Sequence, residues 1–339
     1  MIKSKRENAV SRVAFRPADA ARLLYVPCWD ASGCAQPLLS WLASEGNVES
    51  VIAQLREQGA VCLRGFARLS AEEFATVTAR LCGAQLEYRE RTTPRSVIDQ
   101  AVTGVYTSTE YPGDQEIFLH NENAYASHWP EYLCFYCEEP AQIGGETTLA
   151  DLHKVEAGIS PELARLISAR GLLHRRIFIE GVGVSWQTAF NVAHIDELRC
   201  HCAQAGLSVT AGDDRIMVEH RHSPYARHAR THERRWFNHA AFFQSDKVDA
   251  RVTRALEHLL GSDELPNRIL YGDGTPLEQA VVAELTQAYR AALVAHAWQR
   301  NDLVVLDNMR YAHGRRPFGG TRRVWVSMAN QLNRVDLQV

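Results

Sequence analysis

Four apolar runs in this chain have strand length and strand-like composition, at residues 117–119, 132–137, 302–306 and 323–328, and the stretches between them are long, irregular and Gly-rich. A parallel sheet needs a crossover helix between successive strands, and that regular alternation is missing. No G-x-G-x-x-G or Walker loop occurs either. A further buried strand is expected over 59–66, followed by a helix whose start is marked by a Ser/Glu capping box at Ser70 and Glu73. S-P-E-L at Ser160 opens a second helix. T-P-L-E at Thr275, with Pro276 at the first helical position, is expected to open a third that runs to about His296. Strands of this spacing with helices gathered to one side point to a mainly β fold with flanking helices, a sandwich or jelly roll.

No repeat, low-complexity segment or interdomain linker interrupts residues 51–339, which are expected to form a single domain. Residues 1–50 read as an N-terminal extension packed on that core through Trp29, Leu38 and Trp41. Lys and Arg number 37 against 40 Asp and Glu, so no single-sign field favours nucleic acid or a membrane surface as partner. A small-molecule substrate is expected instead. The first ten residues lack the apolar core of a signal peptide, and no run approaches the roughly 18–20 apolar residues of a bilayer span, so a cytoplasmic location is expected. Eight cysteines are too few for a disulfide scaffold. Cys134 and Cys137 of C-F-Y-C are separated by an odd interval in a strand, which sends them to opposite faces as buried thiols. C-H-C at Cys200 to Cys202 falls in a helical run, 192–205, with no second ligand pair at zinc-finger spacing.

The polar end of the first strand reads L-H-N-E-N-A-Y. If it is extended, His120 and Glu122 share a face and can reach one ion. That pair alone also fits a plain strand end, so a third ligand is required. His313, in Y-A-H-G-R-R after the apolar run 302–306, is the best candidate. Two histidines and a carboxylate make the facial triad of non-haem Fe(II) oxygenases, although zinc enzymes use the same ligand types. On the last strand Arg323, Trp325 and Ser327 are expected to face the cavity, with Val324, Val326 and Met328 packed on helices. A guanidinium there suits the distal carboxylate of 2-oxoglutarate, because Arg binds carboxylates as a two-pronged fork. The bland alternative is that Arg322 and Arg323 form a solvated basic pair.

These residues resemble the TauD/TfdA superfamily of Fe(II)- and 2-oxoglutarate-dependent dioxygenases, in particular its clavaminate-synthase-like and SyrP-like amino-acid hydroxylases. The resemblance spans about residues 61–330. It is carried by S-T-E-Y-P at Ser108, H-N-E-N-A-Y at His120, F-Y-C-E-E-P-A-Q-I-G-G-E-T-T-L-A-D from Phe135, W-F-N-H at Trp236, Y-G-D-G at Tyr271 and the block from Trp298 to Met328. It implies a double-stranded β-helix fold, iron held by His120, Glu122 and His313, and 2-oxoglutarate bound by Arg323 and the Thr147 hydroxyl. It also implies dioxygen as the second co-substrate and hydroxylation of an unactivated C–H. Glu122 weighs against a halogenase, since the halogenases of the family have a small residue there. One departure lies at W-F-N-H, where relatives usually carry glutamine in place of His239.

The most cationic stretches are 89–96 and 215–235, and a segment near 180–245 is expected to cover the active site as an insertion. Arg221 and Arg227 are the expected contacts to an anionic substrate, with Arg95, Asn123 and Asn238 as further polar contacts. The expected substrate is an amino acid or amino-acid-derived molecule, free or tethered to a peptidyl carrier protein, in specialised-metabolite biosynthesis. Two alternatives remain open from the sequence. The same oxidant could serve desaturation or cyclisation of a small acid. A non-oxidative, metal-dependent jelly-roll enzyme would keep the triad without needing Arg323 or Thr147.

Overall fold

The computed structural model describes residues 11–14, 27–31, 36–44, 46–86, 90, 92, 95–212, 214–244 and 265–339. Two antiparallel sheets stack face to face at its centre. The larger has the strand order Ser11–Ala14, Pro27–Asp30, Ala60–Arg64, Leu303–Asp307, His128–Glu139, Arg323–Asn333 and Tyr106–Thr107. Its one parallel pairing among these strands joins Pro27–Asp30 to Ala60–Arg64. The smaller sheet has the order Leu293–His296, Thr147–Asp151, Tyr311–Arg315 and Ile117–His120. This is the jelly-roll, or double-stranded β-helix, arrangement expected from the sequence.

Alternation along His128–Glu139 divides the interior into layers. Leu133, Phe135 and Cys137 face the smaller sheet, where they meet Leu149, Val294, Val324, Val326 and Met328. Tyr132, Cys134 and Tyr136 face outward, against Phe74, Val77 and Leu81 of helix Ala71–Cys82 and Val51 and Leu55 of helix Asn47–Gln58. The two cysteines therefore sit on opposite faces, as their spacing requires, and Cys134 Sγ lies 3.6 Å from Cys82 Sγ. Both faces of this strand are dry. Each fully buried large apolar side chain here contributes about 1.5–3 kcal/mol relative to exposure.

Helix Ala71–Cys82 starts as the sequence demands: Ser70 Oγ accepts from Glu73 N and Glu73 returns the bond to Ser70 N. Ser160 caps Pro161–Arg170 in the same manner, accepting from Leu163 N. The third start differs. Thr275 is drawn into a turn, its N–H donating to Asp273 Oδ1 and its carbonyl accepting from Tyr271 N, so the helix begins only at Gln279. It also ends at Ala292, because Leu293–His296 pairs with Thr147–Asp151 and becomes the edge of the smaller sheet. Sheet pairing here overrides a helical pattern.

The described part of the N-terminal segment packs against the outer face of the larger sheet. Trp41 contacts Trp29 at 5.4 Å and Phe66 at 5.3 Å between ring centroids, and Leu38 and Leu42 are buried beside it. A separate four-stranded sheet, ordered Ser208–Ala211, Arg215–His222, Leu172–Ile179 and Asn267–Tyr271, carries helices Trp186–Phe190 and Ile195–Ala205. Cys202 is buried in the small core of this layer while Cys200 is exposed.

Candidate active site

His120 is the last residue of its strand, and its register partner on the neighbouring strand is His313. The pairing brings their ring centroids to 4.4 Å. The backbones approach so closely after His313 that a Cβ on Gly314 would stand 2.5 Å from Ile117 O and 2.7 Å from Thr148 Oγ1, which is why glycine follows this histidine. Glu122 arrives by another route than the one expected. The strand has ended, and Glu122 sits in a turn held by Asn308, which accepts from Glu122 N at 2.8 Å and donates to Glu122 O at 2.9 Å. Asn121 Nδ2 donates to Asn308 O and Tyr311 O, stitching the turn to the strand that bears His313. Asn123 completes it at φ +56°, a left-handed backbone that asparagine tolerates.

One donor atom each from His120, Glu122 and His313 lies within 4.8 Å of the others. His120 Nδ1 is 2.9 Å from Phe118 O; a carbonyl only accepts, so the proton resides on Nδ1 and Nε2 keeps its lone pair. Burial holds both imidazoles below their ordinary range. At His313 the neighbouring His120 and Arg95 add to that depression, while at His120 the Glu122 carboxylate partly opposes it. Neutral imidazoles and one carboxylate, gathered on one side, are a donor set suited to Fe(II) with coordination positions left over. Glu122 Oε2 also accepts from Arg95 Nη2 at 2.8 Å.

Beside the ligands opens a pocket lined by Arg95, Ser108, Thr147, Arg315 and Arg322. Here one expectation is corrected. The side chain of Arg323 is 56% exposed and pairs on the outside with Glu138 at 3.2 Å and Glu139 at 2.8 Å. It is Arg322 that enters the pocket, donating to Gly145 O at 3.0 Å and Ser108 Oγ at 3.4 Å. Burial, reinforced by Arg315, brings the Arg322 guanidinium down to about 10, so it stays charged at neutral pH. The strand faces are inverted as well. Val324, Val326 and Met328 point between the sheets and Trp325 points out against Phe74 and Tyr136. A strand buried on both faces lacks the polar–apolar contrast that would fix its parity in a sequence.

Thr147 is buried in the pocket wall, and its Oγ1 accepts from Trp298 Nε1 at 3.0 Å. Arg315, which the sequence did not single out, is buried and donates to the carbonyls of Tyr111, Pro112 and Gln115, holding the S-T-E-Y-P loop over the pocket. Its place two residues after His313, on the same strand face, was the available signal.

The expected substrate contacts divide. Arg95 lines the pocket and touches Glu122. Asn123 accepts from Tyr125 Oη at 3.2 Å, and Asn238 bridges Pro224 O and Ala240 N, so both shape turns beside the site. Arg221 and Arg227 lie elsewhere. Both are exposed and donate to backbone oxygens, of Gly272 and His232. Arg221 alternates with buried His220 and His222 on its strand, which turns it to the opposite face. Of the 215–235 stretch, Arg230 is a structural cation that binds Glu131 at 2.9 Å and Asp307 at 2.6 Å. Residues 89, 91, 93 and 94 of the other basic stretch lie outside the described residues.

What does reach the ligands from the far side is aromatic. The Phe242 ring is 4.6 Å and the His239 ring 6.1 Å from His120, and Phe243 stacks on His174 at 5.2 Å. His239 is buried, its proton affinity well below normal through burial and the nearby His120 and Arg334. A second ligand-like group, Cys62, His296 and Asp302, is also buried. Both Asp302 oxygens there are taken by Arg64, at 2.7 and 2.5 Å, so we read it as a structural ion pair.

The chain matches the model of the family described as taurine catabolism dioxygenase TauD, TfdA family, over residues 26–328. It is 33% identical over 275 residues to the dapdiamide synthesis protein DdaC of Enterobacter agglomerans, covering 81% of this chain and 83% of that protein. A clavaminate synthase-like protein of Arabidopsis thaliana is 28% identical over 288 residues, 81% of this chain and 82% of its own. Among solved structures PvcB of Pseudomonas aeruginosa is similar in fold, with a TM-score of 0.56 at 16% identity over 97% of this chain and 95% of that one. PvcB has been described as an Fe, alpha-ketoglutarate dependent oxygenase from an isonitrile synthetic pathway.

Proposed function

The chain belongs to the TauD/TfdA family and is an Fe(II)- and 2-oxoglutarate-dependent dioxygenase, and from that premise we propose that it hydroxylates an unactivated C–H of an amino acid or amino-acid-derived substrate. The observation that carries the reading is the meeting of His120, Glu122 and His313 beside a pocket holding both a charged arginine and a buried threonine hydroxyl.

In this reading His120 and His313 present neutral nitrogens and Glu122 the single carboxylate that holds Fe(II). Iron, dioxygen and 2-oxoglutarate together supply the oxidising power for C–H cleavage, with succinate and carbon dioxide as co-products. Arg322 takes the distal carboxylate of 2-oxoglutarate as a guanidinium fork, and Thr147 donates its hydroxyl to the same group. Arg322 replaces Arg323 in that role because its side chain, and not its neighbour's, enters the pocket. Arg95 holds Glu122 in place from the substrate side. Phe135, Phe242 and the 111–115 loop keep water from the open side of the ligands.

An amino-acid-type substrate is supported by the likeness to a dapdiamide synthesis protein and by the hydroxylase motifs in the sequence. Delivery of that substrate on a peptidyl carrier protein is part of the proposal and rests on the SyrP-like motifs. We also propose that residues 51–339 act as one catalytic domain whose 180–245 segment covers the site, in a cytoplasmic enzyme whose buried cysteines stay thiols. Among the described residues no helix is long and apolar enough to cross a membrane.

The test is aerobic incubation with Fe(II), 2-oxoglutarate and a panel of amino acids, free and carrier-loaded, following succinate and a product heavier by one oxygen. Substrate-dependent succinate that disappears in Glu122→Ala and Arg322→Ala supports the reading. Turnover that survives both substitutions would overturn it, and a product lacking the added oxygen would move the reaction to desaturation or cyclisation.

A further inference from the structure

The Thr147 hydroxyl has one proton to give and two lone pairs to receive with, and nothing in a threonine side chain decides where the proton points. An indole N–H, by contrast, only donates. Trp298 Nε1 lies 3.0 Å from Thr147 Oγ1, so the threonine oxygen must accept that bond and cannot aim its own proton at the indole. Among the described residues no side chain or carbonyl accepts the Thr147 proton, although the hydroxyl lies in a residue that is 4% exposed. A buried donor without an acceptor is costly, and the space it faces is the pocket shared with Arg322.

The indole itself is anchored from behind. Its ring packs edge-on against His296 at 4.7 Å, and His296 is the cross-strand partner of Thr147. His296 Nε2 is 3.6 Å from Asp302 Oδ2, the carboxylate that Arg64 grips with two bonds. The Arg64–Asp302 ion pair and His296 thus form the footing of a side chain that reaches the pocket wall.

We propose that Trp298 is a positioning residue for the co-substrate: its N–H saturates the acceptor side of Thr147 Oγ1 and so turns the threonine proton toward the carboxylate that Arg322 holds. The inference rests on the pocket being the 2-oxoglutarate site. It predicts that Trp298 acts on 2-oxoglutarate affinity, through Thr147, and leaves metal affinity alone, since no metal ligand touches the indole.

The experiment measures 2-oxoglutarate binding to the Mn(II)-loaded protein by titration calorimetry, with Mn(II) affinity and melting temperature recorded for every variant. Trp298→Phe keeps the ring and removes the N–H. It is expected to weaken 2-oxoglutarate binding roughly three- to tenfold, the span of one net hydrogen bond. Thr147→Val is expected to weaken it at least as much, and adding Trp298→Phe to Thr147→Val to change it no further. Thr147→Ser, which retains the hydroxyl, is expected to bind as the wild type does and to keep its dependence on Trp298. Wild-type affinity in Trp298→Phe, or an equal loss on top of Thr147→Val, would overturn the inference while leaving the site assignment standing. Failure of the wild-type protein to bind 2-oxoglutarate at all would overturn both.

Discussion

The two sides of the ligand cluster are built on different principles. On one side, His120, Glu122 and His313 are placed by backbone: strand register, a glycine forced by close approach, and an asparagine that bonds the chain on either side of Glu122. On the other, the cover is side chain against side chain, with His239, Phe242, Phe243, Tyr125 and His174 in ring contact. The first can hold donor atoms to a fraction of an ångström. The second can exchange one packing for another, and it is where a family with one chemistry and many substrates has room to vary.

Five measurements set this contrast at risk. The largest effect belongs to the ligands themselves: Glu122→Ala or His313→Ala is expected to lower turnover roughly a thousandfold or more, the scale of losing a whole catalytic element, and to abolish tight metal binding. The melting temperature of the metal-free His313→Ala protein should barely change, whereas Glu122→Ala also takes away the buried carboxylate that pairs with Arg95 and should melt lower. Next is Gly314→Ala, expected to destabilise the fold by about 2–3 kcal/mol in urea denaturation, because its methyl meets Ile117 O. A mild effect there would mean that the ligand ledge is softer than its register implies. Third, Arg322→Ala should raise the KM for 2-oxoglutarate roughly thirtyfold or more, while Arg323→Ala, half-solvated and paired at the surface, should change it less than about twofold.

The fourth concerns the cover and pH. Burial keeps His174 and His222 well below the ordinary histidine value, with neighbouring arginines adding to it. An unfolded chain takes up protons near pH 6.5 that the folded cover refuses, so stability is fully present above that pH and falls as pH drops below it. Thermal melts at about pH 7.5 and about pH 5.5 should show the loss. Glu90 does not confuse the comparison: burial alone would raise it, yet His201, His128 and Ser127 bring it to about 2, and its contribution fades only in stronger acid. The smallest effect is expected at Arg221→Ala and Arg227→Ala, which should leave substrate KM within about twofold, as exposed residues away from the pocket.

The sequence was most informative where chemistry and spacing coincide. H-x-E and the distal histidine pointed to three residues whose donor atoms do meet, and the odd interval of Cys134 and Cys137 named the faces of strand His128–Glu139. Even so, Glu122 reaches the cluster through a turn and not through strand alternation, so its place there was inferred from a simpler local geometry than the real one. Arg323 was expected in the pocket and Arg322 enters it, because residues 324–329 are buried on both sides and parity carries no signal in such a strand. Arg221 and Arg227 were favoured by charge alone, which says nothing about which side of a sheet faces the pocket. The contact of Trp298 with the Thr147 hydroxyl was illegible for a related reason, and Arg315, despite its telling place after His313, binds three backbone carbonyls that its residue type does not name.

The central strand Leu303–Asp307 lies between Ala60–Arg64 and His128–Glu139, and the ion pair from Arg64 to Asp302 closes the same junction. The larger sheet is therefore split in the nascent chain. Ala60–Arg64 and His128–Glu139 are made with no strand between them, and they stay unjoined until Leu303–Asp307 follows. Such long-range pairing is slow to form and leaves unpaired edges exposed in the interval.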